Sequence, residues 1–209
     1  MARLTYPDAE QLHAMLRRSP FPEDIHPGNV FRILALAPDA GAAALGFIHA
    51  LLTKSDLDPR LREIVILRAA QRSDASYAFG QHAAIAASVG VPEAQISSLR
   101  SGEVPDNLFD ESERAALAFT DEVLDHAHVS DATFAPVRDR FSARQVVEVL
   151  LTAACFRMMS RLVTLLELEL EPSFGVQALQ HAREPALAAG SEIDRAPTRG
   201  RPVHRPPRR

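Results

Sequence analysis

The sequence predicts an all-α protein, and three observations carry that reading. Nine consecutive segments space their apolar residues as helices do, most of them bounded by recognisable start or stop residues. No segment alternates apolar and polar residues over the length of a strand. Hydrophobic residues make up 46% of the 209. That is enough to build the core of one substantial domain rather than two.

The segments follow in order. PDAEQLHAMLRR (7–18) begins with proline and acids and ends with arginines, as the helix dipole favours. PGNVFRILALAP (27–38) is a short helix between prolines. DAGAAALGFIHALL (39–52) is helical by its alanine and leucine content, despite two glycines. In DPRLREIVILRAAQR (58–72), Asp58 is the expected N-cap and Pro59 the first helical residue. IVIL inside it has strand-like residues but sits within a capped helical pattern. ASYAFGQHAAIAASVG (75–90) is closed by Gly90. VPEAQISSLR (91–100) and ESERAALAFTDEVLDHA (111–127) follow, then DATFAPVRDRF (131–141) with an internal proline. The longest pattern runs from 142 to 170, with Ser142 as its cap and Pro172 as its stop. It is apolar on more than one face, which suits a bundle core or a subunit interface and argues against a monomer.

Composition narrows the function. No run of about 18 uncharged apolar residues is present, so no membrane span is expected. The N-terminus lacks a basic segment followed by a continuous apolar one, so no signal peptide is expected. Cys155 is the single cysteine. It cannot form an intrachain disulfide, and a reducing cytoplasm is the natural setting. The formal charge is −4, yet residues 195–209 carry six arginines and no acid, so the remainder stands near −10. An acidic body argues against nucleic acid as a partner. The Pro/Arg-rich stretch from 183 to 209 reads as a disordered tail.

The chemistry centres on EIVILRAAQRSDASYAFGQHAAIAASVG (63–90), which sets one glutamate and one histidine among small apolar residues. Glu63 faces Ile66, Leu67 and Ala70 at helical spacing, so it needs a partner or a cavity. None of Arg60, Arg62 and Arg68 stands at the favourable i+4 spacing, which points to a partner from another helix. His82 shares a face with Ala75, Ala78, Ile85 and Ala86. Small residues there leave room for a close helix or for a ligand. Tyr77 and Gln81 form an i, i+4 pair on a neighbouring face. Cys155 reads as an inert buried thiol. No phosphate loop, nucleophile elbow or metal-ligand cluster is present, and nothing in the sequence implies a cofactor.

Taken together, FRILALAP, LDPRLREIVILRAAQ, SYAFGQHAAIAASVGVPEAQI and VVEVLLTAACFRMMSRLVTLLELELEP resemble the carboxymuconolactone decarboxylase family. That family includes the alkylhydroperoxidase D-like proteins. The resemblance spans about residues 27–172. It implies an AhpD-like helical bundle over 27–182, preceded by an N-terminal helical extension (1–26), and a homo-oligomer (dimer, trimer or hexamer). Redox members carry a glutamate, eleven residues, CxxC, three residues and a histidine. Here Glu63 and His82 keep that spacing, while Ala75 and Ala78 occupy the cysteine positions. Alanine can neither attack a peroxide nor resolve a sulfenic acid. Peroxidase activity is therefore disfavoured, and any redox role would fall on Cys155 alone. The resemblance then implies a cofactor-independent carboxy-lyase acting on a small carboxylated lactone or related ring compound. His82 would transfer the proton and Glu63 would orient it, with Tyr77, Gln81 and Arg157 contacting substrate. A non-catalytic binding protein of the same fold is the alternative.

Overall fold

The computed structural model describes residues 2–23, 25 and 28–171. Among these it contains helices and no strand. They are α1 (Ala9–Leu16), α2 (Asn29–Leu34), α3 (Pro38–Thr53), α4 (Pro59–Gln71), α5 (Ser76–Ser88), α6 (Glu93–Ser101), α7 (Glu111–Asp125), α8 (Asp131–Arg140) and α9 (Ala143–Leu165). The tail expected over 183–209 lies outside the described residues.

The start signals act as the sequence predicts. Asp58 accepts hydrogen bonds from the N–H groups of Arg60 and Leu61, with Pro59 in the first turn of α4. Ser142 and Gln145 form a capping box at α9. Asp8 with Gln11, and Asp110 with Glu113, do the same at α1 and α7. Gly90, at φ +92°, lets the Val91 N–H return to the Ala86 carbonyl and stops α5.

One boundary differs from the sequence reading. The last helix ends at Leu165 rather than at 170. Glu167 takes a left-handed φ of 53°. The N–H groups of Glu167 and Leu168 then close onto the Thr164 and Val163 carbonyls. This is a Schellman ending, usually marked by glycine, and a glutamate in that place gives no signal. The chain continues as a short strap, residues 166–171. The Arg3 N–H donates to the Leu166 carbonyl at 2.9 Å, which ties the strap to the N-terminal arm.

Helix α4 is the centre of the bundle. It packs against α5, α6, α7 and α9, and every residue from Leu61 to Ala70 is buried. Its faces feed three apolar clusters. Ile66 and Ala69 meet residues of α1, α2, α3 and α9. Ile64, Leu67 and Ala70 meet α5 and α6. Leu61 and Val65 meet α7 and α9. Each leucine, isoleucine or valine among them contributes about 1.5–3 kcal/mol by burial. Burial on all sides follows from its central place. Helix α9 is divided. Val149, Ala153, Phe156 and Val163 enter the core, while Val147, Leu151, Met158 and Leu165 stay exposed on the single chain.

Candidate functional site

Helices α4 and α5 are joined by residues 72–75, whose N–H groups fold back onto the last turn of α4. Such a tight connection makes the two helices antiparallel neighbours. Glu63 lies about two helical turns before the connection and His82 about two turns after it. The hairpin therefore brings the two side chains level with each other. His82 Nδ1 lies 2.8 Å from Glu63 Oε2. Glu63 is fully buried and the His82 side chain is 13% exposed. A carboxylate accepts hydrogen bonds, so Nδ1 carries the proton and Nε2 is the nitrogen left for a ligand. The Phe156 ring stands edge-on to the imidazole, with centroids 4.8 Å apart. Packing and hydrogen bonding thus fix the ring together.

The other oxygen of Glu63 also has a partner. Nε and Nη2 of Arg62 both lie 3.4 Å from Oε1. The expected partner from another helix is thus His82 of α5, and Arg62 of α4 itself is a second partner that the spacing argument sets aside. Successive helical residues do not face each other, but a long guanidinium arm can fold back onto its neighbour's carboxylate. Arg62 is itself buried, so the pair neutralises two charges that would otherwise be costly inside the bundle.

His82 lines an interior cavity of about 90 Å³. On a scale where roughly 10–15 Å³ holds one water, there is room for several waters or one small ring. Walls come from α2 (Val30, Phe31, Leu34), α3 (Leu45, Ile48, Leu52), α5 and α9, with Phe21 from the segment before α2. Among the described lining residues the polar side chains are Tyr77, Gln81 and His82, with no lysine, arginine, aspartate or glutamate. Ala78, one turn before His82, lines the cavity. Ala75 lies at the N-cap of α5 and does not.

The remaining expected residues divide. Tyr77 and Gln81 do reach the cavity, but both are engaged elsewhere. The Tyr77 hydroxyl donates to Glu171 Oε1 at 2.7 Å, and Gln81 Nε2 donates to the Glu171 carbonyl at 3.1 Å. Burial first, then the hydrogen bond and charge of Glu171, hold the Tyr77 phenol well above its ordinary value. Arg157 is not among the described residues that line the cavity. It donates to the Arg72 carbonyl at 2.7 Å and to Ser73 Oγ at 3.2 Å. It lies one residue past Phe156, which turns it about 100° from the cavity and onto the open end of α4. Cys155 is buried outside the lining, and burial pushes its thiol up to about 11. Among the described residues, no group of three or more His, Cys, Asp and Glu side chains is placed to hold a metal ion. None of the helices among them is long and apolar enough to cross a membrane.

Sequence reasoning missed Arg62, Phe156 and Glu171. A charge directly beside Glu63 in an apolar run was a signal for Arg62. Nothing local marked the other two.

With Glu63 and His82 paired at the wall of a helical cavity, comparison with known proteins becomes informative. Residues 38–122 match the carboxymuconolactone decarboxylase family. The match includes α4, α5 and the Glu63–His82 pair, and it bears out the resemblance read from the sequence. No curated protein matches the chain. Solved structures share the fold. One, described as an alkylhydroperoxidase AhpD core and peroxidase-related protein from Ralstonia eutropha, has TM-score 0.67 and 20% identity. That alignment covers 84% of this chain and 95% of that one. A putative antioxidant defence protein AhpD from Agrobacterium tumefaciens has TM-score 0.61 and 21% identity over 66% and 95% of the two chains. A cysteine-to-alanine variant of the debrominase Bmp8, in complex with 2,3,4-tribromopyrrole, has TM-score 0.63 and 16% identity over 87% and 100%. At such identities the likeness establishes the AhpD-like helical fold.

Proposed function

We propose that this protein is a cofactor-independent acid–base enzyme that moves a proton on a small, largely apolar ring compound. The observation that carries the reading is the 2.8 Å contact between Glu63 and His82 at the wall of an apolar cavity. His82 Nε2 takes a proton from the bound ring or delivers one to it. Glu63 holds the imidazole in one tautomer and balances its charge when protonated. Arg62 keeps that carboxylate in place. The apolar walls exclude water, which strengthens each of these interactions.

Of the two substrate types expected from the sequence, the related ring compound fits the cavity better than a carboxylated lactone. Among the described lining residues no lysine or arginine would neutralise a carboxylate, and Arg157 is engaged elsewhere. The bound tribromopyrrole of the debrominase variant supports the same choice, because it is an uncharged single ring held by this fold. Peroxidase chemistry is disfavoured. Ala75 and Ala78 supply no thiol, and Cys155 is buried with its thiolate suppressed.

The test is proton–deuterium exchange in D2O, followed by NMR, over a panel of small lactones and uncharged ring compounds. The wild type is expected to exchange ring or α-carbon protons in at least one of them. His82→Ala is expected to slow that exchange by about 10²–10⁴-fold. Undiminished exchange in His82→Ala would remove His82 from the mechanism. Measured binding without exchange would make the protein a binding member of the fold.

We also propose that the exposed face of α9 is covered by a second copy of the chain. Leu151, Met158 and Leu165 recur every seven residues, the spacing of a helix–helix seam, and are 38%, 51% and 58% exposed. Met158→Arg is expected to lower the mass measured by light scattering. An unchanged mass in that variant would place the interface elsewhere.

A further inference from the structure

The strap after α9 reaches the polar edge of the cavity. Besides its tie to Arg3, it is pinned by Asn29 Nδ2, which donates to the Glu169 carbonyl at 2.8 Å. The Tyr6 hydroxyl donates to Glu169 Oε2 at 3.1 Å. Leu170 packs over Gly80, where a Cβ would stand 2.9 Å from Leu170 Cδ2. These contacts deliver Glu171, whose Oε1 accepts from the Tyr77 hydroxyl and from the Asn29 N–H, each at 2.7 Å. Its carbonyl accepts from Gln81. The Tyr77 oxygen in turn accepts from the Val30 N–H at 3.3 Å. Glu171 Oε2 is buried, with no hydrogen-bond partner among the described residues.

A carboxylate therefore stands behind two of the three polar side chains among the described lining residues. Tyr77 has one O–H, and Glu171 uses it. Gln81 spends an amide proton on the same residue. A ligand carboxylate at this edge would meet a like charge in a poorly solvated place, where repulsion is strong. It would also find the phenol donor already committed. An uncharged ring meets apolar walls and His82.

We propose that Glu171 is the specificity-determining residue of the cavity: it takes the hydrogen bonds of Tyr77 and Gln81 for itself, and so confines the site to uncharged ligands that engage His82. The inference rests on the reading of the cavity as the ligand site and deepens it by naming the ligand's charge.

Two single-ring probes of similar size separate the possibilities, benzyl alcohol and benzoate, with affinities read by NMR titration. The wild type is expected to bind benzyl alcohol more tightly than benzoate. Equal binding of the two by the wild type overturns the proposal without any variant. Glu171→Gln removes the charge at nearly constant shape. It is expected to raise the benzoate to benzyl alcohol affinity ratio at least about tenfold. Glu169→Gln, on the same strap but away from Tyr77, is expected to leave that ratio unchanged. If both variants move the ratio alike, strap order rather than Glu171 controls selectivity and the proposal fails.

A spectroscopic readout accompanies the titration. The chain has two tyrosines and no tryptophan, so Tyr6→Phe leaves Tyr77 as the sole phenol. In that background Glu171→Gln is expected to lower the pH at which the 295 nm phenolate band appears. An unmoved band would show that Glu171 does not act on Tyr77, and this also overturns the proposal. Failure of either probe to bind any of these proteins would remove the cavity as a ligand site and take the proposed function with it. Binding with an unchanged ratio removes only the role of Glu171.

Discussion

Two glutamates are buried among the described residues, and their surroundings differ. Glu113, at the start of α7, has both oxygens fixed by donors that stay in place. Arg60 approaches Oε1 at 3.3 Å. Gln95 and the Asp110 N–H approach Oε2 at 2.9 and 3.0 Å. None of these partners lines the cavity. Glu113 is a staple between α4, α6 and α7. Glu63, on α4 itself, gives one oxygen to Arg62 and the other to an imidazole whose far side faces the cavity. A buried carboxylate with saturated, immobile partners specifies structure. One that ends on a titratable ring at a cavity is arranged to pass a proton, and burial alone does not tell the two apart.

Substitutions sharpen that contrast. The largest expected effect is on proton transfer. Glu63→Gln is expected to slow exchange at least about 100-fold, because the amide no longer enforces the tautomer or balances the imidazolium. Glu113→Gln is expected to leave exchange by the folded protein unchanged. Equal losses in both variants would erase the distinction.

Stability comes next. Glu63→Ala breaks the buried ion pair with Arg62 and the hydrogen bond to His82 and is expected to cost about 3–5 kcal/mol. Glu113→Ala leaves Gln95 and the partly exposed Arg60 short of a partner and is expected to cost about 1–3 kcal/mol. Urea unfolding of both variants at neutral pH measures the order.

A third carboxylate extends the comparison to the surface. Burial pushes the Glu148 carboxyl upward, but the Asp56 N–H, the Ser55 hydroxyl and Arg144 outweigh it and hold the group below its ordinary value. A depressed value means stability present above the ordinary carboxylate range and lost as pH falls through the lowered one. Glu148→Gln is therefore expected to destabilise modestly at pH 7, by less than either buried site. Its difference from the wild type should shrink at about pH 3. A constant difference at both pH values would show that no linked proton is involved.

The smallest effect is expected at Cys155. Its thiol, pushed up to about 11 by burial, is expected to resist alkylation at about pH 8 until the chain is unfolded. Thiol-supported hydroperoxide consumption should be the same for Cys155→Ser as for the wild type. A loss of consumption in that variant would restore the redox reading and make the Glu63–His82 pair an accessory to Cys155.

Much of this molecule was legible in its sequence because the relevant physics is local. Asp58, Pro59, Ser142 and Gly90 act on backbone groups within a few residues of themselves, so the helix limits they set could be read directly. Glu63 and His82 each stood out by their polarity against apolar neighbours, and the resemblance to the carboxymuconolactone decarboxylase family is what coupled them. The end of α9 was not, because Glu167 adopts a conformation that its side chain does not announce. Arg157 was misplaced for a related reason. Which way a residue of α9 turns depends on how that helix is rotated against α4, and an amphipathic pattern weak enough to be apolar on several faces leaves the rotation open.

By itself, then, the sequence determined the helical order and marked Glu63 and His82 as polar residues in an apolar hairpin, while the central place went to α4 rather than to the long helix α9. Only the tertiary structure decided what surrounds that pair. The cavity needs α2, α3, α5 and α9 to converge, and Glu171 meets Tyr77 from 94 residues away. Contacts of that separation are fixed by the packing of whole helices, and no local rule of spacing or capping encodes them.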